Sequence, residues 1–275
     1  MNRPLIVVLG EKGFIGNKIV SGFLSHGFRV IGVGRTTLCD YSVRGVKIEN
    51  HEKFDLLGTL LANSQEYYLI NCVRDDVLGL NQDYFAMLGR VARDAKAVVN
   101  FSTYIQHYTV GPLSQLSAYR DSQLQKSKYL QEICINANLL DIALYTVYGS
   151  GDSSNSFLSY IFPNLQQDKA LELTGLEQLI SYTFVDDVVK LTQSLVSEQN
   201  LEFGNYSFWQ TPPLPLHQYF KVLVKFTNSK SKVGLGSLPY KGHELFNYNP
   251  EIFPPQIRPG FNWTKFEDGL ASYLD

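Results

Sequence analysis

Leu5-Ile-Val-Val-Leu9 is an unbroken apolar run closed by Gly10, and it narrows the choice of fold more than any other stretch. A strand that is apolar on both faces is covered on both faces, which places it in a parallel sheet packed between helices. Glycines then recur every third residue, Gly10-Glu-Lys-Gly13-Phe-Ile-Gly16, and Ile15, Ile19, Gly22 and Phe23 follow at helical spacing. Strand, glycine turn and apolar-faced helix in that order commit the chain to a crossover onto a parallel neighbour. Further strands are read over 29–34, 46–48, 68–73, 97–103 and 142–147, with helices over 54–62, 83–95 and 117–136. The expected class is α/β, a Rossmann-type doubly wound parallel sheet.

After Gly149 the texture changes. Gly149 to Ser156 is a polar loop, and most of the 11 prolines lie beyond residue 200. Residues 1–150 are therefore read as one domain. Residues 151–275 are read as a smaller α/β lobe, interleaved with the first and covering the carboxyl ends of its strands. At 275 residues, 44% hydrophobic and 18% charged, the chain can bury a core, which excludes intrinsic disorder. A formal charge of −2 gives no basic surplus for nucleic acid or an anionic membrane. Cys39, Cys72 and Cys134 form no C-x-x-C pair, and the five histidines show no zinc-ligand spacing. With no apolar run of signal-peptide or membrane-span length, the expectation is a cytoplasmic, metal-free protein, its oligomeric state open to a homodimer.

The glycine turn carries chemistry. Glycines permit positive φ and close backbone approach, and a helix N-terminus offers unpaired N–H groups with partial positive charge, so the turn suits a dinucleotide pyrophosphate. Gly10, Lys12, Gly13, Phe14, Ile15 and Gly16 are the expected contacts, with Cys72, Val73 and Val147 lining the cofactor from strand ends. A site specific for NAD places an acid about 20 residues after the turn. This chain has Gly34-Arg35 there and no acid before Asp40. Arg35, aided by Lys12, fits a ribose 2′-phosphate, so NADP(H) is the expected cofactor.

These residues resemble the extended short-chain dehydrogenase/reductase (NAD-dependent epimerase/dehydratase) family. The likeness is carried by GEKGFIG, Phe101-Ser-Thr103, Tyr119, Val147-Tyr-Gly149, Phe184-Val-Asp-Asp-Val188 and Phe266-Glu-Asp-Gly-Leu270. Ser102-Thr-Tyr-Ile-Gln-His-Tyr108 is similar to the segment of CDP-abequose and CDP-paratose synthases, which reduce a keto group on a nucleotide-linked deoxysugar. The resemblance implies an NADP(H)-dependent 4-ketoreductase of a nucleotide sugar, with Tyr119 as proton donor and Thr103 bonding the same oxygen. It also implies a lysine four residues after the tyrosine, and there the chain has Gln123. Gln123 can bond ribose hydroxyls but brings no charge to lower a phenol pKa. Lys126, about 10 Å along the helix by rise alone, reads as too distant to substitute. A basic residue that grips the substrate diphosphate in many relatives aligns near Ile180; Arg258 is the replacement considered, and His107 faces the substrate side. Asp186 and Asp187 read as helix-capping acids. A nucleotide-sugar epimerase and a non-catalytic NADP-binding sensor or scaffold stay open beside the reductase.

Overall fold

The N-terminal apolar run is strand β1 (Leu5–Leu9), and its side chains alternate between two cores. Ile6 and Val8 point into one, Leu5, Val7 and Leu9 into the other. The computed structural model describes residues 3–34, 37–41, 47–49, 57, 61, 66–73, 82–108, 116–134, 138–153, 156–198, 201–241 and 245–274. Arg35, and most of the helix expected over 54–62, lie outside them.

From β1 the chain enters α1 (Phe14–Ser25) and returns as β2 (Arg29–Val33) beside β1. It then folds back instead of crossing over. β3 (Thr37–Asp40) and β4 (Lys47–Glu49) extend the sheet antiparallel. The expected third strand is thus an edge strand reached through an unanticipated one. Only three residues separate β2 from β3, too few for the crossover a parallel strand needs.

Next come β5 (Tyr67–Asn71), α2 (Gln82–Arg93), β6 (Ala97–Thr103), α3 (Ser117–Ile133) and β7 (Leu139–Leu144). The strand expected to run to Val147 breaks at Tyr145, and β8 (Thr146–Tyr148) leaves the sheet to pair with β11 (Tyr182–Phe184). Between them lie α4 (Phe157–Gln166), β9 (Leu171–Leu173) and β10 (Leu179–Ile180). After α5 (Val185–Ser197), β12 (Gly204–Phe208) adds to β7. β13 (Leu214–Pro215), α6 (Leu216–Thr227), β14 (Val233–Leu235) and α7 (Phe266–Leu270) complete the elements used below.

The sheet order is β12-β7-β6-β5-β1-β2-β3-β4, the first six strands parallel. α1 and α5 cover one face, α2 and α3 the other, as a doubly wound sheet requires. A third cluster holds Tyr148, Phe162, Tyr182, Tyr219 and Phe266 together in the C-terminal α/β part. There the Tyr148 hydroxyl donates to the Phe266 carbonyl at 3.2 Å. A Cβ at Gly269 would stand 2.8 Å from Tyr148 Cζ, so a glycine is needed where the ring passes. Among the described residues no helix is long and apolar enough to cross a membrane.

Asp187 shows how the C-terminal segment is fastened to the first sheet. Fully buried in the first turn of α5, its carboxylate accepts from Thr264 N at 2.8 Å, Thr264 Oγ1 at 2.7 Å and Lys190 Nζ at 2.9 Å. This is a structural tie rather than the cap read from the sequence: Phe184 is the N-cap of α5, which has no side-chain cap hydrogen bond, and the Asp187 oxygens accept from Thr264 and Lys190. Asp187→Ala should cost about 1.5–3 kcal/mol, the range for bonds to a charged group, and urea unfolding should show a correspondingly lower midpoint.

Candidate active site

The strand order reverses between β1 and β5, since the chain goes from β1 to β2 on one side and returns to β5 on the other. In open α/β sheets that crevice, at the carboxyl ends of the strands, is where ligands bind. Gly10 stands in it with φ +79°, and a Cβ there would meet the Cys72 carbonyl carbon and oxygen at 3.1 Å. Gly10 N donates to Val33 O at 2.8 Å and Cys72 N to Leu9 O at 2.9 Å, so the turn is held from both sides. Gly16 brings α1 close: its Cβ would lie 2.8 Å from the Gly10 carbonyl carbon. Gly13 is the N-cap of α1, with no side-chain cap and no acid in the first turn. Such a terminus fits a pyrophosphate, and Phe14 and Ile15 supply its first helical amides.

Lys12 is exposed on this turn. Its neighbour Glu11 is 2% exposed and accepts the Tyr41 hydroxyl at 2.9 Å. Both side chains lie over β2: a Cβ at Gly32 would meet Glu11 Cγ and Tyr41 Cε2 at 2.8 Å each. An acid does therefore approach the end of β2, from the glycine turn rather than from β2 itself. Its distance in sequence hid it.

The opposite side of the crevice is built by β6 and α3. Thr103 ends β6, 8% exposed, and its hydroxyl accepts from Ile105 N at 3.4 Å, capping the short 3-10 turn Tyr104–His107. Tyr119, Gln123 and Lys126 occupy positions 0, 4 and 7 of one helical face. Tyr119 is half-buried, while Gln123 and Lys126 are each 1% exposed. Gln123 Nε2 has no hydrogen-bond partner among the described residues, a buried donor suited to a ribose hydroxyl. Lys126 Nζ donates to Val73 O at 3.0 Å and Phe101 O at 3.4 Å, at the ends of β5 and β6. Burial pushes the Cys72 thiol up to about 12, with Lys126 pulling the other way, so this thiol is inert.

Tyr104 was not singled out in the sequence. Its ring stacks on Tyr145 with centroids 3.7 Å apart, and burial raises its pKa, with the Tyr108 and Tyr119 phenols adding to the rise. It is thus a second phenol in the electrostatic neighbourhood of Tyr119. Val147 lies on β8, opposite Thr183 of β11.

His107 and Arg258 are not brought into one substrate grip. The His107 ring sits edge-on to Phe253, centroids 5.7 Å apart. Arg258 pairs with Glu198 and lines a cleft of about 430 Å³ with Trp209, Thr211, Phe253 and Trp263. Phe253 touches both neighbourhoods, and the guanidinium expected to meet a diphosphate is engaged with a carboxylate. Desolvation lowers the His107 pKa from its ordinary 6.5, Asp141 opposing, so the ring is neutral near neutral pH. As pH falls, the unfolded chain takes up this proton before the folded one does, so stability contributed by neutral His107 declines below about pH 6.5. His107→Gln should flatten the loss of Tm between about pH 7 and pH 5 relative to the parent protein, measured by scanning calorimetry.

No family model matches the chain. CDP-abequose synthase of Salmonella muenchen is 22% identical over 147 residues, 53% of this chain and 49% of that enzyme, so the match spans about half the relative's length. CDP-abequose synthase of Yersinia pseudotuberculosis is 21% identical over 264 residues, 87% of this chain and 90% of that one. Among solved structures, UDP-glucose 4-epimerase of Thermotoga maritima with UDP-glucose superposes with TM-score 0.68 at 16% identity, covering 97% of this chain and 96% of that one. Bordetella bronchiseptica WbmH with NAD+ gives 0.68 at 17% identity, covering 98% and 96%. The superpositions establish the fold.

Proposed function

We propose that this chain, which belongs to the extended short-chain dehydrogenase/reductase family, reduces a keto group on a nucleotide-activated sugar using NADP(H). The observation that supports the reading is the α3 face, where Tyr119 lies one turn before Gln123, whose buried Nε2 has no hydrogen-bond partner among the described residues. Gly10, Gly13 and Gly16 with the amides of Phe14 and Ile15 would hold the pyrophosphate, while Gln123, Cys72, Val73 and Val147 would border the nicotinamide half. When bound, the cofactor supplies the hydride. The Tyr119 phenol gives its proton to the sugar oxygen as the carbonyl becomes an alcohol, and solvent returns the proton to the phenolate. Thr103 is the proposed hydrogen-bond partner of that oxygen, with Tyr104 as neighbouring phenol. His107 is kept as a substrate contact; Arg258 would join only by leaving Glu198.

For the cofactor, Arg35 and Lys12 favour a 2′-phosphate, and Glu11 is the group that opposes it. NADP(H) should bind more tightly than NAD(H) by about 1–3 kcal/mol, the scale of bonds to a charged group. Thermal stabilisation at matched concentrations reads this directly. Arg35→Asp should reverse the order and Glu11→Gln should widen it; equal stabilisation by both cofactors would sink the NADP(H) assignment.

Tyr119→Phe should lower turnover of keto-sugar nucleotides by at least about 10²-fold, followed by loss of NADPH absorbance, while cofactor still binds. Inversion at a sugar carbon without net NADPH consumption would instead identify an epimerase. Cofactor binding with no turnover of any keto-sugar nucleotide would favour the sensor reading, for which the absence of a lysine at position 123 is the supporting observation.

A further inference from the structure

Three observations converge on Lys126. It shares the α3 face with Tyr119 and Gln123, seven residues after the tyrosine. The rise separates the two Cα atoms and both side chains lean toward the helix N-terminus alike, but the four-carbon stem of Lys126 carries its charge to the Val73 carbonyl, beyond the end of β5. Its Nζ donates to the carbonyls of Val73 and Phe101. Val73 follows Cys72, the residue whose carbonyl Gly10 approaches, so the ammonium group lies at the reversal crevice itself. Two carbonyls need only a donor, which a neutral side chain provides at a smaller desolvation cost than an ammonium group.

We infer that Lys126 supplies the positive charge that position 123 lacks, delivered two turns along α3 instead of one, leaving Gln123 as a neutral hydrogen-bond donor. This rests on the reductase reading above. Lys126 is a positioning residue: it acts through Tyr119, whose phenolate its charge stabilises, and through the Val73 backbone at the cofactor crevice. The site then needs no lysine at position 123, and one placed there would crowd a second cation into the same buried region.

The test moves the charge. Affinity for NADPH and NADH is measured by titration of their fluorescence, and turnover by absorbance, for Lys126→Gln, Gln123→Lys and the double variant. Lys126→Gln should weaken binding of the reduced cofactor about tenfold and turnover about 100-fold. The double variant should recover at least about tenfold of the lost turnover and most of the lost affinity, because the charge is restored one turn away. Gln123→Lys alone should bring no gain. If folded Lys126→Gln binds and turns over like the parent, or the double variant recovers neither property, Lys126 is only a strut and the inference is overturned. If Lys126→Gln does not fold, Gln123→Lys decides: a gain in turnover above about threefold shows a site that had lacked a cation. Should the parent bind cofactor but reduce no keto-sugar nucleotide, the reductase reading fails on its own, and the affinities alone judge Lys126. A parent that binds neither cofactor overturns both.

Discussion

The Cys72 carbonyl stands 3.1 Å from where any side chain at position 10 would begin, and this backbone-to-backbone approach organises everything around it. It lets β1 and β5 lie side by side to their ends, with Leu9 paired to Asn71. It turns the chain sharply enough for α1 to start at the crevice, and the Gly10 carbonyl receives Gly13 N at 2.9 Å to fix that turn. A side chain on Gly10 would have to adopt φ +79° and also push the strands apart. The same approach leaves the Val73 carbonyl at the lip of the crevice, where Lys126 reaches it. The glycine turn and α3 are therefore fastened to one short stretch of backbone.

The helix bearing Tyr119 is also located by hydrogen bonds, which carry direction that apolar packing lacks. Asn71, Asn100 and Asp141 sit opposite one another in β5, β6 and β7, and their side chains link at 2.8 and 2.9 Å across the middle of the sheet. All three are buried. Further along β6, Gln106 Nε2 donates to Ser102 Oγ at 3.1 Å and Gln106 Oε1 accepts from Ser127 Oγ of α3 at 3.4 Å. A one-turn slip of α3 would break this chain and withdraw Lys126 from its carbonyls. Buried polar groups left unpaired are costly, so the register of Tyr119 against the strand ends is set on energetic grounds.

What could be read from the sequence was what local chemistry decides. β1, the glycine turn and α1 are contiguous, and their apolar periodicity and glycines state the conformation directly. Gln123 was singled out because the family resemblance implies a lysine four residues after Tyr119, and helical spacing, a local rule, put the two on one face. β3 was not, since Thr37–Asp40 is four residues with little alternation and becomes a strand only because β2 offers an edge. β12 shows the same limit: Gly204–Phe208 joins a sheet whose other strands end sixty residues earlier. The contacts of Lys126 with Val73 and Phe101 were not legible, because these partners are 53 and 25 residues away in sequence. Glu11 was passed over because Tyr41 lies 30 residues downstream.

The abundance of aromatic residues acquires a location in the fold. Tyr104, Tyr108, Tyr145, Trp209, Tyr248 and Phe253 contact one another next to His107 and the end of β6. Burial raises the phenols of Tyr104, Tyr108, Tyr145 and Tyr248, so each stays protonated at neutral pH. The Tyr108 and Tyr145 hydroxyls lie 2.9 Å apart, sharing one hydrogen bond and leaving the other hydroxyl hydrogen to bond elsewhere. The two ends of the crevice therefore differ in kind. Toward α1 it presents the backbone amides of the glycine turn. Near Phe253 it presents ring faces and neutral hydroxyls, a surface of contact area and directed bonds rather than of net charge. With Arg258 engaged by Glu198, these rings and hydroxyls carry no net charge of their own.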